Sequence, residues 1–229
     1  MKYKAIYFDR DNTLTHANPH KIKWRDKMIE SLSGKKFELN YDKMLDLFCK
    51  AGYPKGGLKT VDEEIEFWKR YYQCILIEEG IKDKIEERAN LIFQELWLKD
   101  RILFPEVIEV LEYFKNNGYK IGVISDTSPS LELTLKALGL SEYFDCYICS
   151  DLVGVMKPDP KIYQEALDKL GVAAEESIYV DDYDVEADGA RNIGFTSFHI
   201  DRKNKFKDQW DIYTLKEIVY YVKRNKMGN

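Results

Sequence analysis

The sequence predicts an α/β protein in which a doubly wound parallel sheet is covered by helices on both faces. Two observations lead to this prediction. From about residue 104 onward, short β-branched runs alternate with patterns typical of helices, and strands that alternate with helices pair in parallel. Before that point, residues 22–100 show a helical pattern almost throughout. The 229 residues suffice for one large domain or for a domain with an insert.

The elements of the first half are predicted in chain order. An apolar run gives a strand at 3–9. Further on, Thr60 and Glu63 form a capping box that opens a helix. The buried side of this helix is expected to be a stripe at helical spacing, made of Ile65, Trp68, Tyr72 and Ile75. We interpret the aromatic members of the stripe as packing residues and not as a ligand cage.

In the second half, residues typical of helix boundaries separate the predicted elements. Pro105 stands where a helix begins, and Gly118 stands where it ends. Further strands are expected at 119–125, 146–150, 177–180 and 196–200. Further helices are expected near 130–138, 159–170, 184–193 and 214–225.

Polar side chains stand where four of these strands end. They are, in chain order, Asp9, Ser125, Asp126, Lys157, Asp181 and Asp182. A single Asp after a strand is often only a turn residue or a helix cap. Here the polar residues recur at successive strand ends, and ligands of parallel α/β folds bind at the carboxyl ends of the strands. We therefore expect these side chains to meet in one site.

The run "DRDNT" after the first strand suggests a cation. If the backbone stayed extended past Phe8, residues 9, 11 and 13 would point to one side, and two carboxylates so close together repel each other. With Asp181 and Asp182 they form a set of oxygen donors without His or Cys, which favours Mg²⁺ over zinc or copper. Since Mg²⁺ shares its shell with phosphates, the expected substrate is a small phosphate ester.

Composition excludes several classes of partner. The formal net charge of −5 argues against nucleic acid and anionic membranes, which attract basic surfaces. No apolar run is long enough to span a bilayer, and the N-terminus lacks the pattern of a signal peptide. A cytoplasmic location and a monomer or small homo-oligomer are expected.

Cys146 and Cys149 form a Cys-x-x-Cys pattern that is compatible with a zinc or redox site. Zinc would need two further ligands nearby. The neighbouring side chains are apolar, and a free Cys behaves as a small hydrophobe. We therefore favour a buried strand here. The three histidines show no metal-ligand spacing.

In these motifs the chain resembles the haloacid dehalogenase-like hydrolase superfamily. The family's first motif, Asp-x-Asp-x-Thr, corresponds to Asp9–Thr13, and its second corresponds to Ser125 at the end of "VIS". The third is the lysine of "GVMKPDPKIY", here Lys157. The fourth is an acidic pair followed by a further acid, here Asp181, Asp182 and Glu186. The resemblance implies a Rossmann-like core domain at 1–15 and 104–229 and an inserted α-helical cap domain at 16–103.

Three positions depart from the family pattern. Val180 and Asn12 stand where Gly is frequent, and Glu186 stands where Asp is commoner. Val180 and Glu186 could change the metal geometry slightly. None of the three removes a functional group, so the implied class of enzyme is unchanged.

The resemblance also implies a mechanism. Asp9 attacks phosphorus and forms an aspartyl phosphate, while Asp11 protonates the leaving oxygen and later activates the water. Mg²⁺ is held by the Asp9 carboxylate, the Asp11 backbone carbonyl and Asp181. Asp182 and Glu186 act on the metal through a bound water molecule or support its ligands from behind. Phosphoryl oxygens are held by Ser125, the amide of Asp126 and Lys157.

Phosphatase is the leading functional hypothesis, with four alternatives. A catalytically silent binding module is disfavoured because every catalytic group is present. A phosphohexomutase shares the motifs. A 2-haloacid dehalogenase of the family uses the first Asp, lacks the second and needs no metal, so Asp11 argues against it. A phospho-acceptor switch of the receiver type places its acceptor Asp on a later strand and has no large insert.

Overall fold

The computed structural model describes residues 2–203, 205 and 209–227. These residues form two compact units. The first contains the chain up to His16, Leu103–Thr127 and the described residues from Leu131 onward. The second contains Ala17–Ile102 together with the three residues Ser128–Ser130.

The described residues form eight strands in two sheets. The strands are β1 (Ala5–Phe8), β2 (Thr15–Ala17), β3 (Arg101–Leu103), β4 (Lys120–Ser125), β5 (Cys146–Cys149), β6 (Ser177–Asp181), β7 (Thr196–Ile200) and β8 (Asp211–Ile212). Strands β2 and β3 form a small sheet, and the other six form a parallel sheet in the order β5-β4-β1-β6-β7-β8. From β1 the chain adds strands on one side and then on the other. This confirms the predicted doubly wound fold and places the topological switch point between β1 and β6.

The described residues also contain ten α-helices. They are α1 (Pro19–Ser33), α2 (Tyr41–Lys50), α3 (Val61–Glu78), α4 (Ile85–Leu96), α5 (Val107–Asn116), α6 (Leu131–Ala137), α7 (Ser150–Val153), α8 (Pro160–Leu170), α9 (Asp184–Asn192) and α10 (Lys216–Met227). The start of α8 is well defined because the Asp159 side chain accepts a hydrogen bond from the Lys161 amide and Pro160 occupies the first turn.

Apolar cores lie on both faces of the six-stranded sheet. Because side chains alternate along a strand, Phe8 belongs to one core and Tyr7 to the other. Cys146 and Cys149, three positions apart on β5, fall on opposite faces, and both are buried and outside any disulfide. They are strand residues of two separate cores and cannot share a metal ion.

The second unit consists of α1–α4 packed around a core of its own. Helix α3 opens with the expected capping interaction, because Thr60 Oγ1 accepts a hydrogen bond from the Glu63 amide at 3.1 Å. The Glu63 carboxylate reaches back to the Lys59 amide at 2.7 Å, one residue earlier than in the usual capping box.

The buried side of α3 differs from the predicted stripe. Tyr72 and Ile75 are buried as expected, whereas Ile65 and Trp68 are only half-buried. The core side chains that the prediction omitted are Glu64, Phe67, Tyr71 and Leu76. So many residues of α3 are apolar or aromatic that spacing alone did not determine which side faces inward.

Glu64 is a carboxylate within this core and is only 3% exposed. Its oxygens accept hydrogen bonds from the Ser130 amide at 2.7 Å and the Ser130 hydroxyl at 2.8 Å, and from Trp68 Nε1 at 3.3 Å. A buried carboxylate requires such partners. These bonds hold Ser130 against α3 within the second unit.

The sequence did not predict β2, β3, β8 or α7. Each contains only two to four residues, too few to show a period. The backbone does not stay extended past Phe8, because the chain turns at residues 10–14, so the condition under which residues 9, 11 and 13 would point to one side is not met. Among the residues described, none of the helices combines the length and the hydropathy of a membrane span.

Candidate active site

The turn after β1 places Asp9 at the edge of the sheet. The Asp9 amide donates to the Val180 carbonyl at 2.9 Å, so Asp9 continues the pairing of β1 with β6 before the chain turns. Asn12 adopts a φ of 55°, a left-handed conformation that Asn tolerates better than most residues. This explains why Asn can stand where the family often has Gly.

Lys157 is the centre of the candidate site. Its Nζ lies 2.9 Å from Asp9 Oδ1, 2.8 Å from Asp181 Oδ2 and 2.6 Å from Glu186 Oε2. The side chains of Lys157, Asp9 and Asp181 are at most 5% exposed. Three of the predicted strand ends and the start of α9 therefore meet around one ammonium group.

Burial and excess negative charge control the ionisation of this cluster. Burial raises the pKa of Asp9 well above its usual range, and Lys157 only partly opposes this. Burial also raises the pKa of Asp182, and that of Glu186 to about 7. Burial alone would lower the pKa of Lys157, but the carboxylates around it hold that pKa well above the ordinary value. One ammonium faces more carboxylates than it can neutralise.

The donor set fits a hard divalent cation. One carboxylate oxygen from each of Asp9, Asp181 and Asp182 lies within 4.8 Å of the other two. Asp9 Oδ2 is buried, and no described residue forms a hydrogen bond to it. An unpartnered carboxylate oxygen among other carboxylates suits Mg²⁺, which prefers oxygen ligands. Asp182 belongs to this group of three, although we predicted that it acts behind the metal ligands or through metal-bound water.

Asp11 lies apart from this group of three. Its carboxylate forms a two-point ion pair with Arg10, from Nε to Oδ1 at 3.1 Å and from Nη2 to Oδ2 at 2.8 Å, and Thr15 Oγ1 donates to Oδ1 at 3.3 Å. The Asp11 side chain is 34% exposed, whereas that of Asp9 is 5% exposed. Asp11 is thus reachable from solvent. No pattern in the sequence had assigned Arg10 to the site.

Ser125 and Asp126 lie at the end of β4, the neighbour of β1 on the side opposite β6. Ser125 is 1% exposed. The Asp126 carboxylate accepts a hydrogen bond from the Lys157 backbone amide at 3.1 Å. We predicted only that the backbone amide of Asp126 holds a phosphoryl oxygen. The Asp126 side chain has a further role, because it fixes the loop that carries Lys157.

Two more side chains support the acidic pair from behind. The hydroxyl of Tyr179 donates to Asp181 Oδ2. Because residues 179 and 181 are two positions apart on one strand, alternation could have indicated this contact from the sequence. His199 is buried, with Nδ1 2.9 Å from Asp211 Oδ1 and Nε2 3.2 Å from the Asp182 carbonyl oxygen. It braces the backbone of Asp182.

In the metal-free protein we expect stability to fall as the pH rises from about 4.3 to about 7. The pKa of Glu186 is higher in the folded state than in the unfolded chain, so the folded state retains a proton that the unfolded state releases. The contribution is complete below the unfolded pKa and is lost as the pH rises through the folded one. Urea unfolding in chelator should show this slope in the wild type and a flatter one in Glu186→Gln. The exposed Glu66→Gln is the control, and an unchanged slope in Glu186→Gln would contradict the assignment.

Gly189 on α9 allows close packing against the loop of Lys157. A Cβ at this position would lie 2.5 Å from Pro158 Cβ and 3.1 Å from the Tyr163 hydroxyl oxygen. We expect Gly189→Ala to lower the free energy of unfolding by about 1–3 kcal/mol and to lower kcat by displacing Lys157. Gly56→Ala is the matched control, because no atom lies within 4 Å of its added Cβ. Equal unfolding midpoints for the two variants would contradict this packing role.

Comparison with known proteins assigns the chain to a family. The family model for haloacid dehalogenase-like hydrolases matches residues 3–194, a range that includes every site residue predicted from the sequence. The chain belongs to the haloacid dehalogenase-like hydrolases. The predicted superfamily and the prediction of a hydrolase are thereby confirmed.

Several members of the haloacid dehalogenase-like hydrolases are similar over most of their length. A protein of Methanocaldococcus jannaschii named glyceraldehyde 3-phosphate phosphatase is 27% identical over 97% of this chain and 98% of its own. One of the same name from Methanopyrus kandleri is 36% identical over 90% and 86%. The crystal structure of a HAD phosphatase from Thermococcus onnurineus has a TM-score of 0.67 at 24% identity, covering 96% of this chain and 97% of its own, and supports the fold. Proteins named (S)-2-haloacid dehalogenase match over 63% and 51% of this chain.

Proposed function

We propose that this protein is a Mg²⁺-dependent phosphatase that hydrolyses a small phosphomonoester through an aspartyl phosphate on Asp9. One observation carries the proposal: the unpartnered Asp9 Oδ2 lies in a buried acidic cluster beside Lys157, with a second carboxylate, Asp11, two residues further on. The full-length similarity to proteins named as phosphatases supports the same class of reaction.

In the first step, a carboxylate oxygen of Asp9 forms a bond to phosphorus, and the bond from phosphorus to the ester oxygen breaks. Asp11 gives a proton to that oxygen, and the alcohol leaves. Lys157 and Ser125 hold the phosphoryl oxygens. A divalent cation bound by the acidic cluster would offset its charge and keep Asp9 ionised for attack.

In the second step, Asp11 takes a proton from a water molecule whose oxygen attacks phosphorus. The bond between phosphorus and Asp9 breaks, the Asp9 carboxylate is regenerated and inorganic phosphate leaves. The same side chain thus acts first as acid and then as base. Its accessible position suits this role, because the leaving alcohol and the water must both reach it.

Within the family, a phosphohexomutase and a 2-haloacid dehalogenase are the alternatives. Displacement of a halide requires an attacking carboxylate but no proton donor, so it gives Asp11 no task. A mutase would use the same residues and return the phosphoryl group to a sugar. Product analysis separates these reactions, because only the phosphatase releases inorganic phosphate and only the dehalogenase releases halide.

The proposal is tested by metal removal. Phosphate release should be measured across sugar phosphates, nucleotides, phosphoglycolate and pyrophosphate, first with Mg²⁺ and then with excess chelator. Activity should disappear with chelator, return with Mg²⁺, and return in part with Mn²⁺, whose ligand preferences are similar. Full turnover of a phosphomonoester in excess chelator would contradict the metal requirement. Halide release from a 2-haloacid without metal would favour the dehalogenase.

A further inference from the structure

Arg202 lies two residues beyond β7 and contacts the turn of the first motif. Its Nε donates to the Asn12 carbonyl oxygen at 2.9 Å, and its Nη2 donates to the Thr13 carbonyl oxygen at 2.5 Å. The centre of its guanidinium group lies 3.4 Å from the centroid of the Phe104 ring. One planar side chain thus binds two successive carbonyl groups of the turn that follows Asp11.

The other end of the guanidinium group is anchored in the core. Arg202 Nη1 donates to Glu106 Oε1 at 2.8 Å. Glu106 is 8% exposed, and the same oxygen accepts hydrogen bonds from Thr214 Oγ1 at 3.1 Å and the Leu215 amide at 3.4 Å. Because Glu106 is held independently by the segment before α10, it fixes Arg202 from the side opposite the turn.

Arg202 adds an external anchor to a turn that is also hydrogen-bonded internally. Asn12 has a positive φ. Within the turn the Asn12 amide donates to the Thr15 carbonyl at 2.6 Å and the Leu14 amide donates to the Arg10 carbonyl at 3.0 Å, whereas Arg202 binds the carbonyls of Asn12 and Thr13 from outside the turn. Asp11 lies directly before it, and the direction of the Asp11 carbonyl and side chain depends on the peptide groups on either side. Holding the carbonyls of Asn12 and Thr13 therefore holds Asp11.

We propose that Arg202 is a positioning residue for the first motif, whose guanidinium group fixes the turn that presents Asp11 to metal and substrate. The inference rests on the proposed function, because it assumes that Asp11 serves the reaction. No motif of the sequence contains Arg202. A lysine could not replace it, because an ammonium group cannot match two carbonyls and a carboxylate in one plane as the guanidinium fork does.

Arg202→Lys tests this inference. We expect the variant to bind Mg²⁺ about 10–100-fold more weakly in calorimetry without substrate and to lose a similar factor in kcat, as is typical when a side chain that orients a metal ligand is changed. KM should change much less, because the defect lies in presenting Asp11 and not in binding the rest of the substrate. Arg202→Met, which lacks every donor, should be worse than Arg202→Lys in both measurements.

Arg191→Lys is the matched control. Arg191 also donates to a backbone carbonyl, that of Ser197, at 3.0 Å, and also lies over an aromatic ring, that of Trp210, at 5.1 Å. It contacts no residue of the first motif, so its substitution should leave the Kd for Mg²⁺ and kcat unchanged. Glu106→Gln keeps an acceptor for Nη1 but removes its charge, and it should fall between Arg202→Lys and the wild type.

A purely structural role predicts a different pattern. Arg202→Lys would then lower the unfolding midpoint while the folded protein kept the wild-type kcat and Kd for Mg²⁺, and this result would overturn the inference. If the wild type itself binds no Mg²⁺, the proposed metal dependence fails. The inference is then decided by kcat, which Arg202→Lys must still lower relative to Arg191→Lys.

Discussion

Asp9→Asn is expected to reduce phosphate release by about four orders of magnitude or more, the scale seen when an attacking side chain is removed. The amide is nearly the same size as the carboxylate but cannot form the phosphoryl ester. The fold should be preserved. Because burial raises the pKa of Asp9, replacing it with a neutral group should raise the Tm of the metal-free protein.

Release of inorganic phosphate and thermal unfolding in chelator would test both parts of this prediction. Asp188→Asn is the control. It removes a carboxylate from α9 whose side chain is 59% exposed and paired with Arg191, so activity should stay near the wild-type level. Near-normal turnover by Asp9→Asn would show that Asp9 is not the attacking group.

Asp11→Asn is expected to slow the hydrolysis of an alkyl phosphate by about 10²–10⁴. A leaving alkoxide is a strong base and needs a proton as the bond breaks, whereas nitrophenolate leaves without one. An aryl phosphate should therefore still phosphorylate Asp9 quickly. Hydrolysis of the aspartyl phosphate, the second step, should be slow with both substrates because it needs Asp11 as the base.

Rapid-quench kinetics of Asp11→Asn with an aryl phosphate should accordingly show a burst of one equivalent of nitrophenolate followed by slow turnover. The asparagine oxygen can still accept the hydrogen bond from Thr15 or Arg10, so the turn should persist. Equal losses in burst and steady-state turnover for alkyl and aryl substrates would contradict the acid-then-base role. Asp11 would then mainly shape the metal site.

The sequence predicted the sheet and the location of the site because both depend on periodic patterns. Alternating strands and helices predict a parallel sheet, and the polar residues at the carboxyl ends of its strands are expected at one edge. The strand order itself, which brings Asp9 beside Asp181, is seen only in the structure. The contacts of Arg10 and Arg202 could not be predicted in this way. They depend on how a short turn and the segment after β7 fold back, and no period of 2 or 3.6 residues records that.

Helix α3 shows the limit of periodicity. Its apolar and aromatic residues permit more than one buried side, and the deciding residue, Glu64, is charged. Its burial depends on Ser130, 66 residues away in the sequence. No local rule assigns a carboxylate to a core when its partner comes from such a distance.

The hydrogen bonds between Glu64 and Ser130 also limit the modular exchange of the helical unit. A recombinant in which residues 17–102 come from a relative would lose the acceptor for the Ser130 amide and hydroxyl unless the donor sequence supplied a carboxylate at the equivalent place. Residues 128–130, which would lose this acceptor, begin three residues after Ser125, and Ser125 is proposed to hold a phosphoryl oxygen. Replacement of this unit would therefore require residues 128–130 to change with it.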